Sequence, residues 1–169
     1  QPKYRCLVWA CPAHYYTNFT YWTQHCWGVT CVNDMEAMLS YQPITIGDKE
    51  QALADLVRCY EKMMMRSHTN GGYVNLLDEC WKMCEKFHTN IVIMYDHVSC
   101  KNVGGLHGLF EDQARERGIH LIWIPHDVMD PRTVSRREMR EAFSQYMVTV
   151  LNEKPLDPTL LDYEDALSW

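Results

Sequence analysis

Five side-chain types that can do chemistry crowd one short stretch, "YDHVSCKN" at residues 95–102: Asp96, His97, Ser99, Cys100 and Lys101. A thiol beside a lysine at the start of a helix is favoured as thiolate, which is both a nucleophile and a soft metal ligand. As a nucleophile Cys100 has His97 as a candidate base, but no orienting acid or oxyanion hole can be read beside it. As a zinc site, His97 and Cys100 lack a second pair at ligand spacing. A second polar turn, "HDVMDPR" at 126–132, offers Asp127, Asp130 and Arg132. These are substrate-proximal candidates together with His97, Ser99 and Lys101, and the plainer alternative is an ion-paired turn that caps the last helix. Cys11 and Cys31 are weaker metal-ligand candidates. Cys80 and Cys84 are one helical turn apart, but Trp81 and Met83 around them point to core packing.

These groups need elements to position them. "YRCLVWA" (4–10), "VTCV" (29–32), "NIVIMYD" (90–96) and "IHLIWIP" (119–125) are short runs of strand formers, and the last two are continuously apolar, as in parallel strands covered on both faces. Helical spacing lies between them. "FTYWTQHCW" is closed by Gly28, and residues 49–65 carry Ala52, Leu53, Leu56, Val57 and Tyr60 on one stripe behind Asp48 as cap. Residues 73–87 put Val74, Leu77, Trp81 and Cys84 on one face, 105–118 end at Gly118, and 135–151 open with a Ser135/Glu138 capping box.

Alternating strands and helices predict βαβ units: a doubly wound, Rossmann- or flavodoxin-like sheet of about four parallel strands with helices on both faces. Ligands of such sheets bind beyond the carboxyl ends of the strands. There Cys11 ends the first strand, Cys31 the second, Asp96–Lys101 follow the third and Pro125–Arg132 the fourth. The expected organisation is one domain over 1–152 and an acidic tail over 153–169.

The chain has 169 residues, 47% apolar and 22% charged, enough for one sizeable core. A net charge of −6 with scattered Lys and Arg offers no footprint for nucleic acid or an anionic membrane surface. No apolar run approaches the roughly 18 residues of a membrane span. Eight cysteines in a chain with long periodic segments read as reduced thiols of a cytoplasmic protein rather than a disulfide framework.

From about Asp48 to Leu151 the chain resembles the C-terminal domain of the D-component, or second subunit, in the 2-hydroxyacyl-CoA dehydratase and benzoyl-CoA reductase family. The resemblance rests on "YEKMMMRSHT", "IVIMYDHVSCK", "RERGIHLIWIPHDVMDPR" and "REAFSQYM", and "ACP" after the first strand is similar to the start of that domain. It implies anaerobic chemistry on an acyl-CoA, with a [4Fe-4S] cluster in each of two subunits and an ATP-hydrolysing iron–sulfur activator as electron donor. The family's last cluster ligand matches Cys100. Lys101 and the N–H groups near Gly104 and Gly105 would offset and bind cluster charge. The family's two earlier ligands belong to an N-terminal domain without counterpart here, so the chain alone is expected to bind no cluster and to be inactive. Two other classes stay open: a non-catalytic binding or interaction domain, and a thiol-dependent enzyme using Cys100 with His97.

Overall fold

The structure, a computed structural model, describes residues 2–36, 43–61 and 63–162, apart from the side chains of residues 64, 65, 67, 69 and 70. Four strands, β1 (Tyr4–Trp9), β2 (Val29–Asp34), β3 (Ile91–His97) and β4 (His120–His126), form an all-parallel sheet in the order β2-β1-β3-β4. Between and after them run α1 (Phe19–Trp27), α2 (Lys49–Glu61), α3 (Met64–Phe87), α4 (Lys101–Gly104), α5 (His107–Arg117) and α6 (Arg136–Thr149).

The expected doubly wound α/β fold is thus present, and its contacts show why it forms. β3 is buried from Ile91 to Tyr95 because both of its faces are covered. On one face Phe19 of α1 meets Tyr95 of β3 and Phe143 of α6, with ring centroids 6.1 and 5.8 Å apart. On the other, Trp81 of α3 packs on Phe110 of α5 at 5.8 Å. Trp9, Phe19, Tyr95, Phe110 and Phe143 are fully buried, each contributing about 1.5–3 kcal/mol relative to an exposed position. Cys80 and Cys84 are core, as their apolar neighbours imply. None of the eight cysteines is in a disulfide.

The local signals hold at several ends. Asp48 accepts from the N–H groups of Glu50 and Gln51. Ser135 and Glu138 close a reciprocal capping box on α6, so the Asp127–Arg132 turn does not cap that helix. Gly28 and Gly118 end α1 and α5 at φ 69° and 66°, a left-handed conformation that side chains disfavour.

Other expectations are corrected. β2 runs on through Asn33 and Asp34, so Cys31 sits mid-strand opposite Cys6 and not at the strand's end. The helix expected over 49–65 ends at Glu61; Lys62 lies outside the described residues, and a new helix begins at Met64. That helix continues into the segment expected from residue 73, across a kink where Gly72 takes φ 73°, and Val74 stays exposed. The stripe of α2 faces outward: Leu53, Leu56, Val57 and Tyr60 are 40–58% exposed. Its polar side is the anchored one, because buried Asp55 accepts from Thr45, Gln51 and Arg58. The helix expected over 105–118 is α5, which begins at His107, and a separate short helix not expected from sequence, α4, precedes it.

The acidic tail is partly docked. Glu153 accepts from Lys3 and from Tyr4 Oη, Leu156 N–H donates to Cys26 O at 2.7 Å, and Trp22 Nε1 donates to Leu160 O at 2.8 Å. The segment through Leu160 therefore lies against β1 and α1, and residues 163–169 lie outside the described ones.

Candidate functional site

Strand order reverses between β1 and β3, since one crossover leaves β1 toward β2 and the other leaves β3 toward β4. The loops beyond the carboxyl ends of these strands diverge and leave a crevice. A cavity of about 180 Å³ lies there, lined among others by Trp9, Cys11, His68, His97, Cys100 and His126. The arrangement follows from register: β1 ends at Trp9, level with Met94, while β3 and β4 run on together to His97 and His126, so the chain after β1 turns beside the projecting ends of its neighbours.

The β1 side departs from regular backbone at once. Ala10 takes φ 66°, a costly conformation for a residue with a Cβ, and the chain turns there to present Cys11 to the cavity. Cys11 Sγ lies 3.8 Å from His14 Nε2. Cys11, His14 and Glu36 place their ligand atoms within 4.8 Å of one another. Burial, and after it the Glu36 carboxylate, push the Cys11 thiol up to about 12.

On the β3 side Cys100 is half-buried and forms the N-cap of α4. Its own N–H donates to His97 O at 2.9 Å, fixing the turn. The N–H groups of Gly104 and Gly105 are taken by Cys100 O and Lys101 O, so they are not available to a ligand, contrary to the sequence expectation. Donors left for a ligand are those of the first helical turn. Lys101 and Ser99 are exposed.

His97 is held in one orientation. Ser99 N–H, which can only donate, points to His97 Nδ1 at 3.2 Å, and Ser99 Oγ stands 3.0 Å from the same atom. Nδ1 is therefore the acceptor and the proton resides on Nε2, which faces Asp127 Oδ2 at 4.0 Å. Among the described residues no hydrogen bond joins the His97 ring to the Cys100 thiol, so the thiol–imidazole pair of a thiol-dependent enzyme is not assembled. Asp127 is held below the ordinary carboxylate range, first by the N–H groups of Met129 and Asp130 and also by His97. Asp130 is fixed by Arg132 in a two-pronged ion pair that lowers it to about 2. Asp130 and Arg132 thus satisfy each other in an exposed turn, and neither lines the cavity.

Buried polar atoms mark the cavity wall. His126 is wholly buried, and neither ring nitrogen meets a protein partner. The carbonyls of Cys11, Asp96 and Ile124 stand near enough to favour its charged form, yet burial and then the His97 charge outweigh them and lower its pKa. Trp9 Nε1 and His68 Nε2 are likewise buried without a partner, with the two rings 5.4 Å apart. Burial lowers His68 in the same way.

Of the residues that sequence reasoning singled out, the structure thus brings His97, Cys100 and Cys11 to one cavity, with Asp127 behind His97. It leaves Ser99 and Lys101 on the rim, Asp130 and Arg132 outside, and Cys31 in the sheet, where Sγ contacts Asn33 O at 3.4 Å. Sequence reasoning missed Trp9, His68, His126 and the Cys11–His14–Glu36 group. The C-x-x-H spacing of Cys11 and His14 was visible, but Glu36 joins them only because β2 pairs with β1.

An all-parallel sheet with a polar-studded apolar cavity at its switch point is the architecture in which α/β domains commonly hold ligands. The family model described as 2-hydroxyglutaryl-CoA dehydratase, D-component, matches residues 1–147, and the chain belongs to that family. The match includes β1 and the "ACP" turn, which extends it well ahead of the Asp48 boundary read from sequence. Among curated proteins none matches the chain. No helix among the described residues is long and apolar enough to cross a membrane.

Proposed function

We propose that this chain is the C-terminal domain of a D-component-type subunit, in which Cys100 supplies one ligand of an iron–sulfur cluster and the cavity receives the acyl end of a coenzyme A thioester. The observation that carries this reading is the placement of Cys100. Its half-buried thiol lines the cavity at the switch point, in a chain that belongs to the D-component family.

A whole cluster takes three or four thiolates. Only Cys100 and Cys11 of the described cysteines line the cavity, and Cys31 is committed to the sheet. These residues do not fit a complete cluster, so the remaining ligands come from elsewhere in the enzyme. Lys101 on the rim would offset the negative charge of a thiolate-bound centre. The cavity suits a short acyl group, since one of about 150 Å³ accommodates benzene. His97, held by Ser99 at Nδ1 and facing Asp127 through Nε2, forms part of the wall at that end. The subunit works with a second dehydratase subunit and an ATP-dependent iron–sulfur activator, in a reducing cytoplasm that keeps the eight thiols free.

The test is iron content and turnover of the enzyme purified without oxygen from cells that make it, with and without Cys100→Ser. The variant is expected to lose iron and dehydratase activity, because a neutral hydroxyl is a poor ligand for a soft centre. A variant that keeps its iron and its rate overturns the assignment of Cys100.

A further inference from the structure

Across the cavity mouth from Cys100, three side chains with metal-binding atoms come from two separate segments and converge at one point. We propose that Cys11, His14 and Glu36 form a mononuclear metal site that binds one zinc ion, distinct from any iron–sulfur centre.

The spacing fits the ion. Zinc bonds of about 2.3 Å to sulfur and 2.1 Å to nitrogen, opened to the tetrahedral angle, place the two donor atoms about 3.6 Å apart. Cys11 Sγ and His14 Nε2 are 3.8 Å apart, and the Glu36 carboxylate completes the group within 4.8 Å. Small side-chain adjustments bring the three to bonding distance.

The backbone holds the ligands there. His14 N–H donates to Val128 O at 2.9 Å, and Met35 N–H donates to Val8 O at 3.0 Å, which fixes Glu36 beside the end of β1. Ala10 accepts a left-handed φ of 66° directly before Cys11. Strain of that kind persists where surrounding structure over-determines it, and functional sites are where it collects.

The chemistry selects the metal. A thiolate donor disfavours magnesium and calcium, while thiolate, imidazole and carboxylate together suit zinc. One thiolate and one carboxylate neutralise a dication. Three protein ligands leave a fourth position for water or substrate, the pattern of zinc sites that act on ligands rather than staple a fold. Since Cys11 also lines the cavity, an ion here stands where it can polarise an oxygen of a group bound inside.

The experiment uses the full chain, stripped with chelator and titrated with zinc against a chromophoric competitor, with cobalt(II) as spectroscopic probe. One zinc per chain is expected, and cobalt should show thiolate-to-metal charge transfer with tetrahedral visible bands. Cys11→Ser should abolish the charge-transfer band, and Cys11→Ser, His14→Ala and Glu36→Gln should each weaken zinc binding at least about tenfold, the scale at which even outer-shell changes act. Cys100→Ser should leave zinc affinity unchanged. His14 is exposed, so His14→Ala keeps the test decisive if Cys11→Ser fails to fold by circular dichroism. Absence of stoichiometric zinc binding by the folded chain, a charge-transfer band that survives Cys11→Ser, or equal weakening by Cys100→Ser each overturns the site. None of these readouts depends on iron, so failure here and failure of the Cys100 assignment are separable.

Discussion

His126→Leu should make the protein more stable. The wild-type imidazole is wholly buried, with an N–H and a lone pair that meet no protein partner, and leaving such groups unpaired costs about 1–3 kcal/mol. Leucine has no polar atom to desolvate, and its burial contributes about 1.5–3 kcal/mol against exposure. Allowing for imperfect shape in a packed wall, the net gain should be about 1–2 kcal/mol at pH 8. With a urea dependence of about 1–3 kcal/mol per molar, the midpoint should rise by about 0.5–1 M at unchanged slope. The pH dependence separates this from generic repacking. Burial, and next the charge of His97, lower the folded-state pKa of His126, while the unfolded chain takes up its proton near about 6.5. Below that pH the unfolded wild type binds a proton that the folded form resists, so the wild type loses stability with falling pH and the variant escapes that loss. The gap between the two should therefore widen from pH 8 to pH 5. His68, lowered by burial as well, is common to both proteins and cancels. A variant less stable than wild type at pH 8, or a gap that narrows in acid, would refute the reasoning and mean that His126 is satisfied in the native state.

Cys100→Ser and Cys80→Ser should differ in urea midpoint: Cys80 is fully buried and its hydroxyl replacement should cost about 2 kcal/mol, whereas the half-buried Cys100 should cost well under about 1 kcal/mol. Equal costs would show that the β3 turn is packed as tightly as the core. Arg132→Ala should raise Asp130, now held at about 2 first by the arginine side chain and next by the backbone N–H of residue 132, part of the way to the ordinary value of about 3.9, because that N–H remains; an NMR titration that finds Asp130 unmoved would show that the backbone of the turn, not the ion pair, sets it.

The fold was legible because its signals are local and mutually consistent. Continuous apolar runs in β3 and β4 require cover on both faces, and glycines at 28 and 118 end helices where a left-handed φ is needed. The α2 stripe misled because helical spacing shows only that apolar residues share a face, not that the face meets the core. Asp55, whose burial depends on Thr45 ten residues earlier, decides which side turns inward. Cys31 misled through a boundary error of two residues, since "ND" reads as a turn but pairs with Leu7 and Val8.

The site was half legible for a related reason. Motif reasoning finds groups adjacent in sequence, and the Asp96–Lys101 turn is of that kind. A cavity at a switch point is assembled by strand order instead, and order places Trp9, His68 and His126 around one space though they lie on three segments. Nothing in their spacing announces this. What marks them is energetic: the unpartnered ring nitrogens of Trp9, His68 and His126 and the positive φ at Ala10 gather along one wall, whereas Trp27 Nε1 and Thr89 Oγ1 are buried unpaired singly and away from it. The charged turn that attracted attention first, Asp130 with Arg132, carries no such cost because each satisfies the other in solvent. Clustered uncompensated polarity, more than charge, therefore directs the next substitutions to His126, His68 and Trp9 ahead of the acidic turn.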